Sequence, residues 1–299
     1  MDYICVLGGA NIDVFANSHK KIALKDSNPA TITTALGGVG RNVAENLARL
    51  GNKVYLLTVL GNDVNVKLIE DNAKAVGIDL SKAKRVKGVT STYMCINDSN
   101  GDMMLGASDM QILSHLDCDY VKENLELLNN AKAVVIDTNI PNVIEYVCQN
   151  VKVPIFLDTV SASKTKYIAQ TPIKVFCLKP NLLEAEILSG KQIDGEDDIK
   201  EAMQYVFDNH SQWVVLTDGA KGVYYFDGKT FGHVDAHKVQ VKNTTGAGDS
   251  FISAMISGYV QGWDIEKCVR FGCLIASITV QSIETVSKQV TSQLVKDFN

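Results

Sequence analysis

Asn243-Thr244-Thr245-Gly246-Ala247-Gly248-Asp249-Ser250-Phe251 is the stretch on which the reading of this chain turns. Two glycines flank an alanine, an aspartate follows, and an apolar-rich run from Phe251 to Val260 reads as a helix. The stretch is therefore a tight turn opening a helix N-terminus. The first N–H groups of a helix have no partners within it, and Gly246 and Gly248 let the main chain approach an anion with no Cβ in the way. Negative charge developing there is stabilised. Asp249, in the first turn, is then a carboxylate beside a phosphate cradle, able to accept a proton from a hydroxyl that attacks phosphorus. A plain helix cap explains the same residue, since Asp is a favoured cap and Gly a favoured turn former.

Outward from that stretch, the chain of 299 residues has room for one large domain with a small appendage. Its 46% hydrophobic and 21% charged content is that of a folded globule. A formal net charge of −5 argues against a nucleic-acid surface or an anionic membrane surface, both of which need a basic footprint. Seven cysteines without a Cys-x-x-Cys pair imply reduced thiols and a cytoplasmic setting. His233 and His237 stand four apart in a strand-like region, where that spacing makes no metal face. Met1 runs straight into the apolar stretch Tyr3 to Leu7 without a basic leader region, and Phe271 to Val280 is too short for a membrane span. A soluble protein is expected.

Tyr3 to Leu7 ends at Gly8-Gly9 and reads as a buried parallel strand. Asn11 and Asp13 follow at alternate positions; on an extended chain they point the same way and could grip the hydroxyls of a sugar. Gly37-Gly38-Val39-Gly40-Arg41-Asn42 then opens a second helix, with apolar positions at Val43, Leu47 and Leu50. It is no dinucleotide fingerprint, because position 43 is Val and no strand directly precedes it. Val86 to Leu105 alternates in polarity around a turn at Asp98 to Asp102, a β-hairpin that with Ala30 to Ala35 would form a small sheet outside the main body.

From Ala131 onward, strands and helices alternate, which argues a parallel sheet with crossover helices. Ligands in such sheets bind beyond the carboxyl ends of the strands, where Asp137, Asn139, Asp158, Lys179, Asn181, Thr217 and Asp218 fall. Asn181-x-x-Glu184 reads as a capping box on the helix Leu182 to Ser189. Gly228-Lys229-Thr230 sits in a hairpin turn and is not a P-loop. A long helix spans Asp264 to Val280, and the tail to Asn299 shows no pattern.

Two of these stretches, in this order, resemble the signatures of the ribokinase-like (PfkB) carbohydrate kinases: Gly-Gly-x-Gly-x-Asn near the N-terminus and Asp-Thr-x-Gly-Ala-Gly-Asp near the C-terminus. The resemblance implies an α/β fold, a three-layer α/β/α sandwich with a mainly parallel central sheet and a small β-sheet lid. It implies a single domain over residues 1–299, with lid strands around 13–16, 30–36 and 86–107. It further implies Asp249 as catalytic base and Gly246, Ala247 and Gly248 as donors to the transferring phosphoryl group. Asn11, Asp13, Gly38, Gly40, Arg41, Asn42 and Asn139 would meet the acceptor. Lys164, Asn181, Thr217, Gly219, Gly222 and Thr245 would meet ATP, with Glu184 holding magnesium through water. Asn243 stands where most members have Asp at a monovalent-cation site, so that ion is left open. Gly272-Cys273 falls near where many relatives carry an Asn lining the adenine pocket.

Within the family the finer pattern looks like the pseudouridine kinases. It includes Gly8 to Val14, Gly37 to Ala48, Ser108-Asp109-Met110, Leu178 to Asn181 and Asn243. That implies transfer to the 5′-hydroxyl of pseudouridine, a small-molecule substrate, no nucleic-acid or membrane partner, and a homodimer through the lid. A kinase of another nucleoside or sugar uses the same machinery, and a ligand-binding regulator keeps the same fold.

Overall fold

The computed structural model describes residues 2–299. The chain begins with β1 (Ile4–Leu7), β2 (Asn11–Ser18), β3 (Ala30–Gly37), α1 (Val39–Arg49), β4 (Val54–Leu57) and β5 (Val59–Leu60). It continues with α2 (Val66–Val76), β6 (Ile78–Asp79), β7 (Lys84–Arg85), β8 (Thr92–Asn97), β9 (Met103–Asp109), α3 (Cys118–Glu123) and α4 (Leu125–Asn129). Then come β10 (Ala133–Asp137), α5 (Pro141–Asn150), β11 (Ile155–Asp158), α6 (Ala162–Gln170), β12 (Val175–Lys179), α7 (Leu182–Ser189) and α8 (Glu196–Asn209). The last part holds β13 (Ser211–Thr217), β14 (Val223–Phe226), β15 (Phe231–Val234), α9 (Ala247–Val260), α10 (Ile265–Thr279) and α11 (Ser292–Phe298).

Nine strands form the central sheet in the order β15-β14-β13-β12-β11-β10-β1-β4-β6. Pairing is parallel from β12–β13 across to β4–β6, and antiparallel only in the β13-β14-β15 edge. Successive residues of a strand face opposite sides, so β1 sends Cys5 and Leu7 into one core and Ile4 and Val6 into the other. The first core is covered by α3 to α8, the second by α1, α2, α9 and α10. This is the three-layer α/β/α sandwich expected from the alternation of patterns.

A separate four-stranded sheet runs β3-β2-β8-β9. Its centre, β2, leaves the end of β1 after only Gly8-Gly9-Ala10 and returns through β3 straight into α1. The small sheet is thus tied to the main body at the carboxyl end of β1. Every residue of β9 is exposed.

Helix starts follow local chemistry. Pro141 occupies the first turn of α5, where a missing N–H costs nothing. Asp264 caps α10 through the Lys267 N–H. The apolar-rich α9 is buried from Ser250 to Gly258 between α1 and α10. Glycine makes that close packing possible: a Cβ on Gly258 would lie 2.6 Å from the Trp263 ring, and one on Gly272 would lie 2.6 Å from Phe251. Gly272 is therefore a packing position.

The tail corrects the sequence expectation. It forms α11, and Val290 and Val295 close a third cluster with Leu50, Ala254, Phe271 and Ile275. Seven helical residues are too few to display a period, and it is the surface they cover that orders them. No helix among the described residues is long and apolar enough to cross a membrane, and all seven cysteines are free.

Gly272→Ala should lower stability by about 1–3 kcal/mol through overpacking against Phe251. Urea unfolding measures it, and an unchanged midpoint would mean that α9 and α10 are not wedged as described.

Candidate active site

The site forms where α9 begins. Gly246 has φ +82°, and a Cβ there would fall 2.0 Å from the Thr285 carbonyl oxygen. Only glycine fits. Ala247 N–H donates to Thr244 and Ser250 N–H to Gly246, which leaves the N–H groups of Gly248 and Asp249 without protein acceptors among the described residues. Two free donors on a helix N-terminus make an anion cradle.

Three adjacent strand ends face it. The parallel register sets Asp137 of β10 beside Asp158 of β11, and Asp158 beside Lys179 of β12. Lys179 Nζ lies 3.3 Å from Asp158 Oδ2, both side chains being buried. The same Nζ is 3.4 Å from where a Gly248 Cβ would be, so the ammonium sits over the cradle. Burial works against that charge, yet Asp158 and Glu184 hold the Lys179 pKa above its ordinary value.

Asp249 Oδ2 accepts a 2.7 Å bond from Asn42 Nδ2, which joins α1 to α9. Burial first, and then the charge of Asp158, pushes the Asp249 carboxyl up to about 7; the Asn42 bond and Lys179 pull the other way. Burial likewise pushes Asp137 up to about 6, and its Oδ2 has no hydrogen-bond partner. A carboxylate held near neutrality can take a proton at physiological pH and is still often ionised.

Asn181 and Glu184 form a full capping box at 2.9 Å in each direction. Thr159 Oγ1 adds a 2.6 Å bond to Glu184 Oε2, so both bonds to this carboxylate fall on one oxygen. Oε1 has no protein partner among the described residues. A cleft of about 220 Å³ runs between Val39, Val160, Asn181, Glu184, Thr217, Lys179, Asp158, Gly248 and Asp249. Asn181 and Thr217 are also joined by a single parallel bridge.

At the start of β2, Asn11 Nδ2 donates to Asp13 Oδ1 at 2.5 Å, as the alternating pattern of β2 required. Burial pushes Asp13 up to about 6 against the pull of Arg41 and Asn11. Gly38 and Gly40 let α1 butt against the end of β1: a Cβ on Gly38 would fall 2.5 Å from Gly9 O, and one on Gly40 would fall 2.7 Å from Gly8 C.

Other expected residues are engaged by neighbouring protein groups or lie outside the cleft. Arg41, expected to reach the acceptor, is 3% exposed and spends its guanidinium on Glu45, Asn42 and the carbonyls of Leu36 and Gly37. The internal carboxylate outcompetes solvent for it. Lys164 bonds to Asn139, whose N–H donates to Asp137 Oδ1. Gly222, at φ +113°, turns the chain into the β14–β15 hairpin. Gly219 and Thr245 do not line the cleft; the Thr245 N–H is held by Asn243 Oδ1.

Sequence reasoning left Asp158, Lys179 and Val160 out of the site. The first two were visible only as polar residues at strand ends. Val160 has φ +59°, a costly conformation for a β-branched residue, and lines the cleft with its N–H on Asp158 Oδ1. No residue type in its neighbourhood signals that conformation.

Comparison with known proteins agrees with this fold. The family described as pfkB family carbohydrate kinase matches residues 1–291. The pseudouridine kinase of Escherichia coli (strain K12) is 37% identical over 91% of this chain and 89% of its own length. A putative sugar kinase from Clostridium perfringens superposes with TM-score 0.90 at 33% identity, covering 100% of this chain and 96% of that one. The ribokinase of Arabidopsis thaliana complexed with ribose and ATP superposes with TM-score 0.83 at 25% identity, covering 100% and 99%.

Asp249→Asn keeps size and helix-start geometry but cannot take a proton, so kcat should fall by roughly 10²–10⁴. The effect on stability has a sign. A carboxyl at about 7 in the folded protein, against an ordinary 3.8, binds a proton that the unfolded chain has released. Stability therefore falls as pH rises between those two values. Thermal melts should place Asp249→Asn at or above the wild type at pH 8, with the gap closing toward pH 4. A lower Tm at pH 8 with unchanged turnover would make Asp249 a cap only.

Proposed function

Starting from the membership of this chain in the pfkB family of carbohydrate kinases, we propose that it transfers the γ-phosphoryl group of ATP to the 5′-hydroxyl of pseudouridine. The observation that carries the reading is one carboxylate, Asp249, held near neutral pKa at the mouth of a helix N-terminus with two unpaired N–H groups. In this reading the acceptor hydroxyl gives its proton to Asp249 as its oxygen bonds to phosphorus, and the bond to the leaving ADP oxygen breaks. The Gly248 and Asp249 N–H groups and the Lys179 ammonium face the charge on the transferring group.

The nucleotide side is Asn181, Thr217 and Glu184, with Lys164, Gly219, Gly222 and Thr245 farther out. The ribokinase complexed with ATP supports ATP as the donor. Glu184 Oε1 fits magnesium, which keeps most of its waters and asks for few carboxylates; bound there, the ion would neutralise the phosphate charge. Asn243 bonds to the Ile283 carbonyl and the Thr245 N–H, and leaves monovalent-ion activation to experiment.

Asn11, Asp13 and Asn42 offer the acceptor its hydroxyl partners, and the small sheet serves as a lid over them. The 37% identity to the E. coli pseudouridine kinase supports the nucleoside. A sugar acceptor is the second reading, favoured by the structural likeness to a ribokinase complexed with ribose. The exposed Ile32, Met103 and Leu105 of the small sheet, at 61%, 62% and 59%, support a homodimer through that sheet.

Two measurements follow. Magnesium-dependent ADP release should be strongest with pseudouridine among pseudouridine, uridine, adenosine, ribose, fructose and no acceptor; preference for a sugar would discard the nucleoside, and silence with all would revive a regulator. Sedimentation should give a dimer that Met103→Asp with Leu105→Asp converts to monomer, and a wild-type monomer would remove the lid contact.

A further inference from the structure

Arg41 and Glu45 form a buried pair that the reaction as written does not use. Arg41 Nη1 lies 2.5 Å from Glu45 Oε2, the side chains being 4% and 5% exposed, and Arg49 holds the other oxygen of Glu45 at 2.7 Å. A buried ion pair is a poor source of stability, since desolvation offsets most of its attraction. The same guanidinium donates to Asn42 Oδ1, and Asn42 in turn donates to Asp249 Oδ2.

The order of donors in this chain has only one solution. A carboxamide offers an acceptor at one end and N–H donors at the other, and a guanidinium can only donate. With Arg41 on Oδ1, Asn42 must turn its N–H toward Asp249. We infer that Arg41 is a positioning residue for the phosphoryl-transfer base, acting through Asn42: it locks the amide so that Asp249 Oδ2 is always occupied and Oδ1 is left for the acceptor hydroxyl. The inference rests on the kinase reading. The end of β3 is part of the same arrangement, because Arg41 also holds the Leu36 and Gly37 carbonyls at 3.0 and 3.2 Å. One side chain therefore couples the base to the strand that enters the small sheet.

The charges around the pair set the direction of the effect. Asp249 is faced by Asn42 and Arg41 from α1, Asp158 from the end of β11, Lys179 from β12 and Asp137 from β10. Arg41 is faced by Glu45, Asp249 and Asp13. Removing Arg41 takes a cation away from Asp249 and frees the Asn42 amide to turn its oxygen toward the carboxylate. Both changes disfavour the ionised base.

The test is a double-mutant cycle in which Glu45 is neutralised along with Arg41, so that no buried carboxylate is orphaned. Arg41→Met/Glu45→Gln, Asn42→Ala and the triple variant are compared on one background. The Arg41→Met/Glu45→Gln protein should lose about tenfold or more in kcat with KM for ATP within twofold. The acid limb of its kcat profile should move up by about one pH unit. In the Asn42→Ala background the same change should add little, because Arg41 acts through Asn42. Additive losses with an unmoved acid limb would overturn the inference and leave Arg41 a purely structural tie. Should the double variant not fold, Arg41→Lys keeps a charge for Glu45 but lacks the fork that also reaches Asn42, and should show the same upward limb. A readout free of turnover separates this from the kinase reading: carboxyl NMR titration of Asp249 in the nucleotide-free protein should show a higher midpoint in either Arg41 variant. An unchanged midpoint refutes the inference even if the enzyme is active, and a raised one upholds it even if no acceptor on the panel is turned over.

Discussion

The structure depends on keeping the Asp249 carboxylate buried at a helix N-terminus whose unpaired N–H groups are the place proposed for phosphate. Asp249 and the anion it would serve carry the same sign, and burial removes the water that would screen them. The fold answers with fixed donors: the α9 N-terminus, the Asn42 amide and the Lys179 ammonium. Their pull does not overcome burial and the nearby Asp158, so Asp249 rests near neutrality. That is the condition a proton acceptor needs at cellular pH.

Everything that fixes this balance is rigid. The helix bearing Asp249 is buried along most of its length, with its Gly258 against Trp263 and its Phe251 against Gly272 of α10. The charged partners stand at the ends of adjacent parallel strands, where hydrogen-bond register sets their spacing. The strained Val160 is held there by Thr159, whose hydroxyl bonds Glu184 and the Lys179 carbonyl, and by Thr138 on the Thr159 carbonyl. In contrast, β9 is exposed throughout, and the small sheet joins the body at the ends of its strands, near Gly8 to Ile12, Gly37 and Thr90-Ser91. In the proposed reading, a well-packed floor and an exposed small sheet over it suit an enzyme that must admit a substrate and then exclude water.

Much of this was legible in the residues. Gly246-Ala247-Gly248-Asp249 reads as a turn opening a helix with a carboxylate in its first turn, because helix termini and glycine freedom are local properties. Asn11 with Asp13, and Asn181 with Glu184, are likewise local: a two-residue alternation and a capping box fix each pair within a few residues. The alternating strands and helices gave the layered sheet, as apolar periodicity does when both faces are buried. Arg41 and the tail were harder to read. An arginine next to a signature Asn suggests a ligand contact, and only the fold shows Glu45 and two carbonyls taking its donors. The tail carries too few helical turns to show a face until Leu50 and Phe271 supply the surface that it covers.

The sequence by itself determined the succession of strands and helices and the turn that opens α9, since both rest on interactions between residues close in the chain. Only the tertiary structure decided which charges meet. Asp137, Asp158, Lys179, Asn42 and Asp249 come from five elements, and their proximity depends on strand order and helix packing, which no local pattern encodes. Electrostatic character at a buried site is a property of distances and of excluded water, and both exist only once the chain is folded.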